Sequence, residues 1–370
     1  MKNNKKIAVI LFNLGGPTDL KSVKPFLFNL FNDYAIIKLP QPFRYLLAKL
    51  ISSRRLKKAQ GIYQQINGKS PLLEITQNQA EHLEKELSFF GNFKIFIAMR
   101  YWHPFAEESI KGIEKFQPDE LILLPLYPQF SSSTTASSLK DFLDKFSLSL
   151  IKNSAIKTIC CYATDHDFCK SHALLIIDSL NLFYKGNFDS VRLLFSAHGL
   201  PQKLIDQGDP YVFQVEATVE EVVNQLANLM AIEKQKIDYQ ICYQSKVGPL
   251  KWTTPSLEHE INRISKDQKN PLIIPIAFVS DHSETLVELD IEYKELADHL
   301  KIENYQRVPA LNLEKQFIRS LSEMIISVEK NNHNNYFYGN KPVRFCPKKM
   351  SYCQNPNPCL DSNPNPKENN

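Results

Sequence analysis

A histidine stands at the end of an apolar segment, where a side chain can bind a metal ion or exchange protons. His198 closely follows the apolar run 191–195 and immediately precedes Gly199. A neutral imidazole, with an ordinary pKa near 6.5, accepts a proton or binds a divalent cation. The residue type and position leave two interpretations open: a reactive histidine at the edge of a sheet, or one that packs against or caps the following helix.

Three glutamates form the second chemical pattern. Glu284, Glu288 and Glu292 are spaced four residues apart and begin just after the apolar run 272–279. On a helix, this spacing places them on one face, where each pair of like charges costs about 0.2–0.5 kcal/mol. A solvated acidic face explains such a row. The alternative, favoured by the start of the row after a predicted strand, is that it carries a hard cation or protons into a cleft opposite His198.

Six of the seven cysteines divide into two groups. Those in apolar segments are typical of buried, unreactive thiols (Cys160, Cys161 and Cys242). Three others lie in a polar C-terminal tail, with six and five residues between them (Cys346, Cys353 and Cys359). Three thiols do not complete a four-thiolate cluster, so the tail predicts either free thiols or a metal or iron–sulfur site with a fourth ligand from elsewhere. An odd number of cysteines in a long chain favours a reducing compartment, and we expect a cytoplasmic protein.

The elements that must position these groups alternate along the chain. Continuous apolar runs predict parallel strands covered on both faces, at 7–14, 93–99, 121–126, 156–161, 191–195, 239–243 and 272–279. Helical periodicity predicts helices at 71–87, 106–115, 166–183, 213–230 and 314–328. We therefore predict an α/β fold with two small parallel sheets, in domains 1–150 and 151–330. The last helix is a candidate to pack back on the first domain. The Asn-, Pro- and Cys-rich tail 331–370 is expected to be poorly packed.

Composition excludes several classes of protein. Of 370 residues, 43% are hydrophobic and 23% charged, and the net charge is 44 − 40 = +4. These values are those of a globular chain and give no support to disorder or to nucleic-acid binding. No apolar run approaches the roughly 20 residues that cross a bilayer. We interpret the basic start and the short apolar run 7–11 as a first strand rather than a signal peptide.

Familiar nucleotide and hydrolase motifs are missing from the strand ends. Gly15-Gly16 lacks the spacing of a dinucleotide or phosphate-binding loop, and the sequence around His198 is not a GxSxG nucleophile elbow. Several aromatic residues follow the predicted strands, where ligands of open parallel sheets bind. The pattern favours a flat, largely apolar ligand beside a histidine and carboxylates.

Six segments, in order, resemble the ferrochelatase family. They are 11–17 (LFNLGGP), 99–101 (MRY), 126–131 (LYPQFS), 196–201 (SAHGLP), 243–249 (YQSKVGP) and 280–286 (SDHSETL), and the likeness covers about residues 7–328. The resemblance implies two Rossmann-like domains of the class II chelatase type around a porphyrin cleft. It also implies an enzyme that inserts ferrous iron into protoporphyrin IX to give protoheme, with no nucleotide and no nucleic acid as partner.

The resemblance also implies roles for particular residues. It makes His198 and Glu284 the catalytic and metal-binding pair, and Glu288 and Glu292 a path for protons or iron. The positions that match the family's porphyrin pocket are Leu14, Arg100, Tyr101, Tyr127 and Ser131, of which Leu14 varies among relatives. The low solubility of porphyrins favours peripheral contact with the inner face of a membrane.

Some family members hold a 2Fe–2S cluster on C-terminal cysteines and one internal cysteine. In relatives whose internal ligand lies in the YPQ segment, that position falls here on Ser132, which cannot serve. The tail cysteines would then need Cys160, Cys161 or Cys169. Three other functions remain open beside protoheme synthesis: iron insertion into coproporphyrin, cobalt insertion into another tetrapyrrole, and non-catalytic carriage of heme or metal.

Overall fold

The chain folds into two parallel sheets covered by helices, as the apolar runs predict. A computed structural model describes residues 5–185, 188–246 and 248–359. The strands are β1 (Lys6–Asn13), β2 (Asn92–Met99), β3 (Glu120–Pro125), β4 (Ala155–Cys161), β5 (Val191–His198), β6 (Tyr239–Gln244), β7 (Asn270–Pro275), β8 (Gln306–Arg307) and β9 (Tyr336–Tyr338). The first sheet has the order β2-β1-β3-β4-β9 and the second β6-β5-β7-β8.

Helices connect the strands and cover both faces of the sheets. The α-helices are α1 (Val23–Phe31), α2 (Phe43–Gln64), α3 (Leu72–Leu87), α4 (Ala106–Phe116), α5 (Thr135–Phe146), α6 (His166–Tyr184), α7 (Gln202–Asp206), α8 (Tyr211–Met230), α9 (Leu257–Asp267), α10 (Tyr293–His299) and α11 (Lys315–Lys330). A short 3-10 helix spans Lys234–Lys236, and a π-helix spans Glu284–Glu292. All strand pairs within the two sheets are parallel, so the carboxyl ends of each sheet meet at one edge.

Strand composition explains this layering. From Ile7 to Asn13 every residue of β1 is buried, and all six residues of β3 are buried as well. A central strand buried on both faces must be apolar throughout, because it has no solvent-facing side. The shorter edge strands β8 and β9 contain polar or aromatic residues, and for that reason their sequences carry no comparable apolar run.

One buried cluster extends from the first sheet to the second. It joins apolar residues of both sheets to the inner faces of α3, α6, α8 and α11. The last long helix, α11, packs against α3 and α6, on the side of the first sheet. The shared core ties the two sheets together through these helices.

The division between the sheets differs from the predicted boundary at residue 150. β4 lies after that boundary, yet it pairs with β3 in the first sheet, so the sheets divide between β4 and β5. Apolar content alone does not assign a strand to a sheet, because that depends on its pairing partner.

The expectation of a poorly packed tail is wrong for the part that the structure describes. β9 adds to the edge of β4, and Cys346 and Cys353 are buried. Residues 360–370, the last part of the predicted tail, lie outside the described residues. The tail therefore completes the first sheet by covering its open edge. Within residues 5–185, 188–246 and 248–359, no helix is both long and apolar enough to cross a bilayer.

Candidate active site

His198 and Glu284 meet at the carboxyl edge of the second sheet. His198 ends β5, and Glu284 begins the π-helix that follows β7. The Nδ1–H of His198 donates to Oε2 of Glu284 over 2.8 Å. The two side chains remain 35% and 28% exposed, so the pair is open to a ligand. The imidazole Nε2 of His282 lies 3.8 Å from the same carboxylate oxygen.

Mutual charge determines the protonation of this pair. Burial lowers the pKa of His198, but the charge and hydrogen bond of Glu284, with the charge of Glu288, outweigh it and raise the pKa above 6.5. Burial likewise opposes ionisation of Glu284, yet the charge and hydrogen bond of His198 lower its pKa to about 2. The pair is therefore an imidazolium–carboxylate ion pair at mildly acidic pH, able to exchange one proton or a cation.

The acidic row runs from the cleft to the surface along the π-helix. Glu284 and Glu288 are half-buried, whereas Glu292 is exposed. A π-helix is rare and often occurs at functional sites. The sequence predicts the common face of the three glutamates but not the π-helical hydrogen bonding. Burial and the charge of Glu284 raise the pKa of Glu288 despite its hydrogen bonds. The row thus combines an ionised carboxylate with a neighbour of higher proton affinity.

Two residues at the end of β6 hold Glu288. The amide of Gln244 donates to the backbone oxygen of Glu284 over 2.9 Å and to Oε2 of Glu288 over 3.1 Å. The backbone N–H of Ser245 donates to Oε1 of Glu288 over 2.8 Å. Ser245 adopts φ +64, a left-handed conformation that is uncommon outside glycine. The β6 end therefore anchors the acidic row to the same edge that carries His198.

Gly199 allows the ends of β5 and β6 to approach each other closely. Its N–H donates to the backbone oxygen of Gln244 over 2.8 Å. A Cβ on Gly199 would lie 2.9 Å from that oxygen and 3.3 Å from the ring of Trp252. The glycine that follows His198 is therefore required by the close approach of β5 and β6.

The carboxyl edge of the first sheet carries an ionic cluster whose charges are paired within the protein. Arg100 forms ion pairs with Asp33 over 2.9 Å and Asp141 over 3.3 Å. The hydroxyl of Tyr101 donates to Asp33 over 2.8 Å, and the Nε–H of Arg100 donates to Ser137 over 2.8 Å. Tyr101 is fully buried. Arg100 and Tyr101 thus lie together, as the motif suggests, but they bind partners within the protein; a pocket-wall role for them stays a prediction.

Leu14 belongs to a small apolar cluster that reaches the active pair. This cluster also contains Tyr63 of α2 and Tyr101. Tyr63 is buried, burial raises its pKa to about 12, and its hydroxyl forms a hydrogen bond with Ser283, next to Glu284. Leu14 itself is half-buried. A helix of the N-terminal half therefore contacts the start of the π-helix.

The segment after β3 contains the last two predicted pocket residues. Tyr127 is half-buried, and its hydroxyl lies 3.5 Å from Ser138. Ser131 is buried and donates to Asp209 over 3.1 Å, while Ser132 donates to the same carboxylate over 2.7 Å. Ser131 and Ser132 therefore connect the first sheet to the start of α8; contact of Ser131 with a ligand stays a prediction.

The tail brings cysteines from distant parts of the chain together. The sulfurs of Cys160 and Cys161 lie 3.2 Å apart at the end of β4. The amide of Gln214 donates to Cys346 over 2.9 Å and to Cys161 over 3.4 Å. A hydrogen bond with Cys346 lowers the pKa of Cys353 to about 7. Among the described residues, no group of three or more His, Cys, Asp or Glu side chains has the arrangement to hold a single metal ion.

Sequence reasoning missed several residues that build the site. Tyr63, Asp33 and Asp209 contact it from separate elements, and no local pattern marks them. Gln244 and Ser245 follow a predicted strand, so their position at a strand end was a usable signal.

The fold and the site together define a class of protein. The class is that of α/β proteins with two parallel, helix-covered sheets and a histidine–carboxylate pair open at one sheet edge. A solved structure with a similar fold, SirB from Bacillus subtilis with Fe3+, aligns with a TM-score of 0.53 at 13% identity and covers 88% of this chain and 96% of its own. At this identity the similarity concerns the fold alone.

The sequence identifies the particular family. The ferrochelatase family model matches residues 6–329, and the chain belongs to the ferrochelatase family. A ferrochelatase of Rickettsia bellii is 52% identical over 354 residues, covering 95% of each chain. A ferrochelatase of Pelagibacter ubique is 46% identical over 361 residues, covering 96% of this chain and 99% of its own. The protein is therefore an enzyme that inserts iron into a porphyrin.

Proposed function

We propose that this protein inserts ferrous iron into protoporphyrin IX to give protoheme. The observation that carries the proposal is the partly exposed His198–Glu284 pair, with its 2.8 Å hydrogen bond, in a chain of the ferrochelatase family. Insertion of Fe2+ releases two pyrrole protons, so the site must bind a cation and remove protons in one cleft. A histidine hydrogen-bonded to an ionised carboxylate meets both requirements.

Each residue has a defined part in this reaction. His198, once neutral, accepts a pyrrole proton at the imidazole. Glu284, with its pKa lowered to about 2, remains anionic and stabilises the imidazolium or the arriving Fe2+. Glu288 has the higher proton affinity and lies between Glu284 and the exposed Glu292. We infer that protons leave, or iron enters, along this row.

The test is anaerobic conversion of protoporphyrin IX with Fe2+ by the purified protein, followed by the loss of porphyrin fluorescence. We expect His198→Ala to lower turnover by about 10³-fold while porphyrin binding remains. Binding of porphyrin without turnover by the wild-type protein would support a carrier instead. Parallel reactions with coproporphyrin, and with Co2+, distinguish the alternative chelatase activities by their kcat/KM.

We also propose that Cys161, Cys346 and Cys353, with one further thiol, hold a 2Fe–2S cluster, as in some relatives. The donor set fits: Cys161 and Cys346 share one amide donor, Gln214, and Cys353 is hydrogen-bonded to Cys346. The fourth thiol would be Cys160, 3.2 Å from Cys161, or Cys359, whose thiol donates to the backbone oxygen of Cys346 over 3.5 Å. A bound cluster would accept one electron and tie the tail to β4.

Iron and acid-labile sulfide in the anaerobically purified protein, with its visible spectrum, test this proposal. We expect about two of each per chain, and their loss in Cys161→Ser and Cys353→Ser. Cys242→Ser is the matched control, because Cys242 is buried in the second sheet, away from the tail. Protein free of iron and sulfide, with a colourless spectrum, would overturn it.

We propose, finally, that the protein is cytoplasmic and contacts a membrane through the surface at residues 34–50. Exposed large apolar side chains concentrate there: Tyr34, Ile36, Leu39, Phe43, Tyr45, Leu46 and Leu50. Exposed cations lie beside them at Lys38, Lys49, Arg54, Lys57 and Lys58. Apolar side chains flanked by cations suit an anionic lipid surface. The same α2 ends near Tyr63, at the start of the π-helix.

Sedimentation with lipid vesicles tests this surface. We expect binding to vesicles containing phosphatidylglycerol and weaker binding to purely zwitterionic ones. The double variant Phe43→Ser/Leu46→Ser should lose most of the binding. Phe89→Ser/Phe90→Ser, at an exposed aromatic pair elsewhere, is the control. Equal loss in both double variants would contradict a specific lipid-binding surface.

A further inference from the structure

The π-helix lies across the carboxyl edge of the second sheet and is anchored at both sides of that sheet. On the β6 side the anchor is Glu288, through Gln244 and Ser245. On the β8 side it is Asp290, which binds Arg307. β6 and β8 are the opposite edge strands of this sheet. The π-helix that carries Glu284 is therefore attached to both edge strands of the second sheet. One attachment is through Glu288 of the acidic row, and the other is through Arg307, which does not belong to that row.

Arg307 joins the π-helix to the loop before it. Its Nε–H and one Nη–H donate to both oxygens of Asp290, over 2.5 and 2.7 Å. The other Nη–H donates to Asp281 over 3.0 Å. The arginine side chain is only 9% exposed. A planar guanidinium can bridge two carboxylates in this way, whereas the point charge of a lysine cannot reproduce both contacts.

The loop end of this bridge is itself fixed. Asn312 donates to Asp281 over 2.7 Å and accepts from the backbone N–H of Asp281 over 2.9 Å. Gln79 of α3 donates to the backbone oxygen of Asn312 over 2.8 Å. On the helix end, the hydroxyl of Tyr305 donates to the backbone oxygen of Leu289 over 2.7 Å. These contacts fix Asp281 and Asp290, the two residues that bind Arg307. The carboxylates of Glu284 and Glu288 take no part in them and bind His198 and Ser245 instead.

We propose that Arg307 is a positioning residue for iron: it fixes the π-helix relative to His198, and thereby the placement of Glu284 and Glu288. This proposal rests on the proposed function. Arg307 touches neither member of the His198–Glu284 pair, so its removal acts on the placement of the cation-binding carboxylates. The hydrogen bonds of Arg307 go to Asp290, Asp281 and the backbone oxygen of Val308, none of which lies in the first sheet. Loss of Arg307 therefore affects the use of iron more than the binding of porphyrin.

Arg192 provides a matched control within the same sheet. It also bridges two aspartates, Asp238 over 2.8 Å and Asp267 over 2.6 Å, and is 12% exposed. It lies near the start of β5, at the opposite end of the sheet from the active pair. Arg192→Gln and Arg307→Gln thus remove equivalent bridges, one remote from the site and one beside it.

Steady-state kinetics with separately varied Fe2+ and protoporphyrin IX test the proposal, at a temperature where both variants are folded. We expect Arg307→Gln to lower kcat/KM for iron about tenfold or more and to leave the KM for porphyrin within about twofold. Arg307→Lys and Asp290→Asn should show smaller losses of the same kind, which covers the case in which Arg307→Gln does not fold. Arg192→Gln should change neither constant beyond about twofold.

Three results would overturn the proposal. One is an unchanged iron kcat/KM in Arg307→Gln and Asp290→Asn; another is equal losses in the Arg192 and Arg307 variants; the third is a loss confined to the porphyrin KM. Wild-type protein without turnover would instead overturn the proposed function, so the two failures are distinguishable.

Discussion

The carboxyl edges of the two sheets are built from similar residue types but have opposite characters. At the second sheet, the hydrogen-bonded pair His198 and Glu284 remains about one-third exposed. At the first sheet, Arg100 is neutralised by Asp33 and Asp141, and the hydroxyl of Tyr101 binds Asp33. The ionic cluster at the first edge satisfies its own charges and is less exposed, at 20% for Arg100, whereas the pair at the second edge is more accessible.

The difference indicates a division of labour between the edges. Polar groups that satisfy one another inside the protein contribute to stability and to the shape of the wall, because their hydrogen-bonding capacity is already used. Groups that remain accessible and carry shifted pKa values are candidates for chemistry. We therefore expect mutations at the second edge to affect turnover most, and mutations at the first edge to affect stability most.

The largest expected effect is at Glu284. Replacing Glu284 with Gln keeps its size but removes the charge that pairs with His198, so turnover should fall about 10³-fold while the midpoint of urea unfolding changes little. Turnover within threefold of wild type would show that the accessible edge is not the reactive one.

A large stability effect is expected at the other edge. Asp33 is buried and accepts hydrogen bonds from Tyr101 and Ser137, besides its ion pair with Arg100. Replacing Asp33 with Ala should lower the free energy of unfolding by about 3 kcal/mol, because it leaves buried donors without an acceptor. Urea unfolding of Asp33→Ala beside Glu284→Ala measures the contrast. An equal loss of stability in the two variants would contradict the view that the first edge contributes more to stability than the second.

The pKa of His198 gives a direct measure of the accessible pair. In the wild type it lies above 6.5, since the charge of Glu284 outweighs burial. In Glu284→Gln only the smaller contribution of Glu288 opposes burial, so the pKa should fall below 6.5. The stability contributed by a raised histidine pKa is present below pH 6.5 and is lost as the pH rises through the folded-state pKa. NMR titration of the imidazole reports both values, and an unchanged pKa in the variant would contradict the pairing.

The smallest effect is expected at the outer end of the acidic row. Glu292 is exposed, so Glu292→Gln should change turnover by less than about twofold at physiological salt, where solvent screens its charge. Repeating the assay at low ionic strength shows whether Glu292 attracts iron from solution. A tenfold loss of turnover at physiological salt would show instead that Glu292 takes part in the reaction.

Much of the fold was predictable because the signal is local. The seven apolar runs form the seven longer strands, and two parallel sheets follow from strands buried on both faces. The short strands β8 and β9 were not predicted, because each contains only two or three residues. The packing of the tail was also missed, since its asparagines and prolines obscure buried contacts such as that of Asn355 with the backbone oxygen of Val343, over 2.8 Å.

The candidate site also has features that could be predicted from the sequence and features that could not. The meeting of His198 and Glu284 was predictable because one ends a parallel strand and the other lies in the segment after a neighbouring strand, and parallel strands bring such positions to one edge. Their shifted pKa values, the bridge made by Arg307 and the contact of Tyr63 with Ser283 were not. These depend on atoms brought together from residues far apart in sequence.

By itself, the sequence determined the layers of the protein, the strand ends that carry its candidate site residues, and its family. The tertiary structure alone decided which polar groups are accessible and which are satisfied internally. The physical reason is that apolar periodicity acts between near neighbours, whereas the charge state of a side chain depends on burial and on every charge within a few ångströms. Arg100 follows β2 and His198 ends β5, and only their distant partners leave one in an internally satisfied cluster and the other in an accessible pair.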